Sequence, residues 1–211
     1  TGIIFKTNMV KATKDNRPFS SGVFDLEEFN IYTKVIDLPL DGIPTYLEEG
    51  INGVCTGGSA LFNVFSNKRR VVKNDLITIF PYQLASITEI STDFAVIFFK
   101  VPKKLFMDTI NGLGRLTLDY FFYMRKYYSS PLSEEEYKRF VHFCHILSCR
   151  VDLSCAFLRR ESVMYLLRVY YWDLYVGYKS NPKAMASVKF VRKEKQVFEF
   201  FYLVIEYHTI S

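Results

Sequence analysis

Histidine is scarce in this chain, and none precedes residue 142: His142, His145 and His208 are the full set. A metal-binding barrel enzyme needs two histidines and a glutamate on one strand and a further histidine on a later one, because imidazoles and a carboxylate must converge on one ion. That chemistry is disfavoured, so no metal or cofactor is expected. Cysteine is sparse too. Cys55, Cys144, Cys149 and Cys155 contain no C-x-x-C pair and make no disulfide framework in 211 residues. A zinc site built from Cys144, His145, Cys149 and Cys155 is opposed by the spacing along helices, and the thiols read as small buried apolar groups. No run reaches the roughly 18 apolar residues of a membrane span, and no basic leader with an apolar stretch behind it is present. Gly57-Gly58-Ser59 lacks the closing glycine of a nucleophile elbow, Gly112-Leu113-Gly114 lacks the third glycine of a dinucleotide loop, and no P-loop occurs. A reducing cytoplasm is the expected setting.

What the chain has is apolar and aromatic. Hydrophobic residues make up 49% and aromatics 17%, enough to build a packed core in a chain of this length. Twenty-seven basic against 22 acidic residues give a net charge of +5. The basics cluster only near Lys68–Lys73 and Lys183–Lys195, which permits an anionic partner without requiring one.

The organising stretch is Gly57–Leu84. Ala60, Phe62 and Val64 alternate with Leu61, Asn63 and Phe65, and the period of two resumes from Val71 to Phe80, which predicts strands. Gly57-Gly58, Ser66-Asn67 and Asn74-Asp75 supply turn chemistry, with Lys68-Arg69-Arg70 at a soluble tip, and Pro81 ends the last strand. Further strands are expected at Phe29–Asp37, Thr45–Glu48, Gly53–Thr56, Ser86–Ile90 and Phe94–Lys100. Many short strands argue for a sandwich or barrel.

At Pro102 the pattern turns helical. Pro102 suits a first helical position, with Leu105, Phe106, Thr109 and Ile110 as its apolar stripe and Asn111-Gly112 as its end. Leu116–Tyr128 is expected as a second helix. Ser133 and Glu136 form a capping box before a third, with Leu132 and Tyr137 placed as a hydrophobic staple. A fourth helix, from an N-cap at Asp152 to Tyr178, is apolar on nearly all sides and needs cover from the strands and from a second copy of the chain. Gly177, Asn181 and Pro182 should break it, and a fifth helix should begin near Val188.

The strand motif, glycine, small residue, then alternating apolar positions, followed by Asn74-Asp75, four apolar-rich positions, one further position and Pro81, resembles the cupin-like sensor domain of AraC/XylS-type bacterial transcription regulators. Asn74 stands where that pattern has glycine, and asparagine tolerates a left-handed backbone. Phe200 to His208 is similar to the helix leading into the DNA-binding domain of that family. The resemblance implies an α+β chain: an N-terminal arm (1–22), a cupin-like jelly-roll small β-barrel (23–102), a helical dimerisation module (103–182) and a helix (183–211) leading to a helix-turn-helix domain outside this chain. It also implies a non-enzymatic role, with a small-molecule effector such as a sugar, a homodimer, DNA contact only through the missing domain, and no membrane. Because the chain opens on Thr1 and stops at Ser211, a trimmed piece of a longer protein is expected.

Polar residues at strand positions among apolar ones, Tyr32, Tyr46, Asn63 and Thr78, are candidates to line an effector pocket. An inverted strand parity would turn them outward. Leu158, Tyr165, Val169 and Trp172, at steps of seven, four and three, are candidates for a dimer contact, and intramolecular packing is the competing reading. A stand-alone, metal-independent cupin enzyme acting on a sugar derivative through a tyrosine acid is the rival function.

Overall fold

In the computed structural model, which describes residues 29–114 and 116–186, the strands form two antiparallel sheets. Their elements are β1 (Ile31–Tyr32), β2 (Thr45–Tyr46), β3 (Glu49–Gly57), β4 (Ser59–Val64), β5 (Asn67–Val72), β6 (Asp75–Ile79), β7 (Leu84–Thr88), β8 (Ala95–Pro102) and β9 (Ser129–Pro131). One sheet has the order β1-β8-β3-β6-β9 and the other β2-β7-β4-β5. The helices are α1 (Lys103–Asn111), α2 (Leu118–Lys126), α3 (Glu134–Val151), α4 (Ala156–Lys179) and the short α5 (Pro182–Ala186).

The expected barrel does not close. Among the described residues each sheet keeps two edges, β1 and β9 in one and β2 and β5 in the other. Three of those four edge strands are only two or three residues long, too short for a continuous ladder around a barrel. Instead the sheets pack face to face through Ile51, Cys55, Ile77, Ile79, Val96 and Phe98 on one side and Ala60, Phe62, Val64, Val71 and Ile87 on the other.

The five-stranded sheet is covered on both faces. Val54, Leu76, Phe80, Phe99 and Val101 point away from the sandwich and join residues of α1 to α4 in a second core. Strands buried on both sides read as continuous apolar runs, so their period of two is blurred in the sequence. Gly53 is required by close approach: a Cβ there would lie 2.7 Å from the Ile97 carbonyl oxygen and 2.6 Å from Phe98 Cβ.

Several boundaries differ from the sequence expectation for local reasons. The turn between β4 and β5 is Phe65-Ser66, with Phe65 at φ +54°, so Lys68, Arg69 and Arg70 lie on β5 and not at the tip. The segment expected as one strand from Phe29 to Asp37 is β1 followed by a single 3-10 turn at Val35–Asp37. β3 starts at Glu49, since Gly50 and Gly53 sit inside the ladder and do not interrupt it. α2 ends at Lys126, two residues short of the expected Tyr128, and the unexpected β9 follows, its Pro131 at an outer edge, where a missing N–H is tolerated. Pro102 ends β8, and helix α1 starts one residue later.

Asp152 caps the C-terminus of α3 and does not start α4; the break at residues 152–155 lets the two helices turn back on each other. α4 runs through Gly177, with Ser180 N–H still donating to the Val176 carbonyl. Cys55 and Cys144 are buried, whereas Cys149 and Cys155 are exposed, one on the outer face of α3 and one at the start of α4. Burial pushes the Cys144 thiol up to about 12. The expected arm at 1–22 and the helix near Val188 lie outside the described residues.

The capping box forms as expected: the Glu136 amide donates to Ser133 Oγ, and the Ser133 amide donates to the Glu136 carboxylate at 2.8 Å. Leu132 and Tyr137 both pack against the helical core. Ser133→Ala is expected to cost about 1 kcal/mol, read as a lowered midpoint in urea with unchanged slope.

Candidate functional site

Two polar side chains interrupt the apolar face that the five-stranded sheet turns towards the helices. Asn52 on β3 and Thr78 on β6 are direct cross-strand partners, so their side chains emerge together on one face. Both are buried. Helix α4 brings two consecutive tyrosines to them: Asn52 Nδ2 donates to Tyr171 Oη at 3.1 Å, and Thr78 Oγ1 and Tyr170 Oη lie 3.2 Å apart. Tyr120 of α2 is fully buried in the same core, its ring 5.2 Å from that of Tyr175 and 6.2 Å from that of Phe80. Asn52 Oδ1 and Tyr120 Oη have no hydrogen-bond partner among the described residues.

This junction is wrapped in aromatic rings. Phe80 lies 5.1 Å from Phe106, 6.0 Å from Tyr171 and 5.8 Å from Phe121; Phe99 lies 5.7 Å from Tyr170. Burial pushes the phenols of Tyr170, Tyr171 and Tyr120 well above the ordinary tyrosine value; the neighbouring tyrosines add to it for Tyr171 and Tyr120, and Cys144 adds to it for Tyr170. At neutral pH the cluster therefore offers neutral hydrogen-bonding groups in an apolar surround, suited to holding elements in register and not to moving protons. These groups stay protonated in the folded chain above pH 10, where the same tyrosines in an unfolded chain ionise. Their contribution is complete below pH 10 and is lost as pH rises through the raised folded values. Thermal midpoints should accordingly hold level to about pH 9 and fall above pH 10, with phenolate absorbance rising together with unfolding.

The four strand residues proposed from sequence are dispersed. Thr78 lies in the junction just described. Tyr32 packs on the opposite face, stacked on Phe98 at 5.2 Å, with Lys100 Nζ 4.8 Å from its ring centre. Lys100 also meets Glu49 at 3.3 Å; burial pulls the ammonium pKa down, but Glu49 and Tyr32 together carry it above the ordinary lysine value. Asn63 sits on β4 opposite Lys68, half-buried, and Tyr46 on β2 is exposed.

The four helix residues share one face of α4 and are open: Leu158 is 55% exposed, Tyr165 58%, Val169 58% and Trp172 44%. Val176 continues the stripe. The opposite face, with Val163, Met164, Leu167, Tyr170, Tyr171, Tyr175 and Tyr178, is buried in the helical core. Arg160 reaches Asp108 of α1 at 2.5 Å and so fixes α4 against its neighbour.

Sequence reasoning missed Asn52, Tyr170, Tyr171 and Tyr120. An asparagine between Ile51 and Val54 in an apolar run was the available signal. Among the described residues no group of three or more His, Cys, Asp or Glu side chains is placed to hold a metal ion.

No protein-family model matches the chain, and no curated protein does. Among solved structures, similarity runs to an AraC-like transcriptional activator, CuxR (10% identity, TM-score 0.34, 71% of this chain and 46% of that one). It also runs to apo ToxT from Vibrio cholerae (8% identity, TM-score 0.45, 74% of this chain and 55% of that one). A third is the plu4264 protein from Photorhabdus luminescens (16% identity, TM-score 0.27, 52% of this chain and all of that one). The chain thus spans about half the length of ToxT and of CuxR. No described helix is long and apolar enough to cross a membrane.

Proposed function

We propose that this chain is the effector-sensing and dimerisation region of an AraC-type transcription regulator, acting in the bacterial cytoplasm. In this reading a small molecule held by the strands biases the position of α4, and Thr78, which meets Tyr170 of that helix, is the strand candidate through which it does so. That helix joins two copies through Leu158, Tyr165, Val169 and Trp172, and the segment beyond residue 187 hands the change to a helix-turn-helix domain. The observation that carries the reading is the two-sidedness of α4. Its inner face is hydrogen-bonded to β3 and β6 through Tyr171 and Tyr170, while its outer face presents an apolar stripe at coiled-coil spacing. A displacement of the strands is transmitted to the stripe by one helix. A coupling of about 1 to 3 kcal/mol between ligand and arrangement is enough to reset a pair of DNA-binding domains.

Analytical ultracentrifugation of the 211-residue chain tests this. The native chain should sediment as a dimer, and the Val169→Asp, Trp172→Asp double variant as a folded monomer at the same concentration. A native chain that stays monomeric at high concentration, and whose melting point no sugar or aromatic compound in a panel changes, would overturn the proposal.

A further inference from the structure

One concave surface lies outside the sheet–helix junction. A cleft of about 440 Å³ opens between the start of β5 and the junction of α2 with β9, lined by Ser66, Asn67, Lys68, Arg69, Lys126, Tyr127 and Tyr128. Three of these seven are cations and none is acidic.

Both walls are fixed. Tyr128 is buried, and its hydroxyl lies 2.9 Å from the Phe62 carbonyl oxygen and 3.0 Å from that of Asn67, tying the floor of the cleft to the hairpin. The amide of Thr78 donates to the Tyr128 carbonyl, anchoring the same residue to the other sheet. Arg69 Nη1 donates to the Ser129 carbonyl at 2.7 Å, so its guanidinium is held across the open edge of the sandwich. The neighbouring cations are differently engaged: Arg70 pairs with Glu89, and the Arg125 guanidinium lies 3.5 Å over the Phe65 ring. Lys68 and Lys126 are exposed, with Lys126 Nζ 5.2 Å from the Tyr127 ring centre.

Arg125 and Lys126 also sit in the last turn of α2, where cations offset the negative end of a helix. That role accounts for one side of the cleft only. It does not account for Lys68 and Arg69, which come from a different element and converge on the same space.

We propose that this cleft binds the phosphate group of a small phosphomonoester. Two lysines and an arginine around a concave floor match an oxyanion with two charges and three accepting oxygens, and the lysines act as point charges on phosphate. Tyr127 gives the organic part of such a ligand an aromatic wall. The concavity and closed floor favour a compact ligand over a nucleic-acid backbone, whose phosphates are spread along a line.

Isothermal titration of the 211-residue chain with phenyl phosphate, with benzoate and with a DNA duplex decides the matter. Phenyl phosphate should bind, benzoate should bind at least about tenfold more weakly, and Lys68→Ala with Lys126→Ala should weaken phenyl phosphate by about tenfold or more. Both lysines are exposed, so the variant should keep the native circular dichroism; Lys126→Gln alone, which keeps the stem, should give a smaller loss of the same sign. Lys73→Ala, outside the cleft, should leave binding unchanged. No heat with phenyl phosphate, an equal loss from Lys73→Ala, benzoate binding of equal strength, or duplex binding that phenyl phosphate fails to displace would each overturn the proposal.

Discussion

Replacing Phe80 by alanine is expected to destabilise the chain by about 3 to 5 kcal/mol, the largest single effect outside the sandwich core. The ring is almost fully buried at the end of β6 and meets Phe106 of α1, Tyr120 and Phe121 of α2 and Tyr171 of α4. It is therefore shared by three helices and the sheet. Removing it deletes the apolar contact area and leaves a cavity that cannot collapse locally, since each surrounding wall belongs to a different element. Urea unfolding should show the loss as a lower midpoint, and far-ultraviolet circular dichroism should show helices melting before strands. Phe80→Leu, which keeps most of the volume, should cost about 1.5 kcal/mol or less. Equal costs for the two substitutions would mean that Phe80 is not the common centre the ring distances describe.

The strand-then-helix order was legible in the sequence because its signals are local. Alternation at Ala60, Phe62 and Val64 gave β4, and the Ser133 and Glu136 pair gave the start of α3 to the residue. The assignment of faces was less legible, and Thr78 shows why. β6 is buried throughout, with Ile77 and Ile79 facing the second sheet and Leu76 and Thr78, together with Phe80 just past its end, facing the helices. Period two says that Thr78 and Ile79 point opposite ways, but it cannot say which way is the sandwich when both sides are covered. Asn52 escaped for another reason: Gly50 and Gly53 flank it and read as breakers, whereas here they remain in the ladder, Gly53 because Ile97 and Phe98 leave no room for a side chain. In α4 the dense aromatics predicted cover on more than one side, and the structure divides them into a buried face and an open one. What a single sequence does not display is that the hydroxyls of Tyr170 and Tyr171 fall on the buried face, opposite two polar residues more than 90 positions earlier.

Tyr171→Phe is expected to cost about 1 to 3 kcal/mol, although it removes one oxygen atom and almost no volume. Asn52 Oδ1 has no partner among the described residues, so the Tyr171 hydroxyl is the partner recorded for this buried amide. Without it the amide is left with neither end satisfied in an aromatic surround, and the desolvation cost falls on the variant in full. Asn52→Leu should cost a similar amount by leaving the phenol unpaired. The double variant, with both polar groups gone, should be more stable than the sum of the two losses predicts, with a coupling of about 0.5 to 3 kcal/mol in a double-mutant cycle. A coupling near zero would show that the 3.1 Å contact contributes no specific stability. The cycle also bears on how α4 works. If Asn52 and Thr78 hold the inner face of α4 in register, then Tyr171→Phe should weaken self-association through the outer face, where Val169 and Trp172 are displayed. Ser133→Ala lowers stability at a distance from α4 and should leave self-association unchanged, so sedimentation of the two variants at matched concentration separates a local hold on the helix from a general loss of stability.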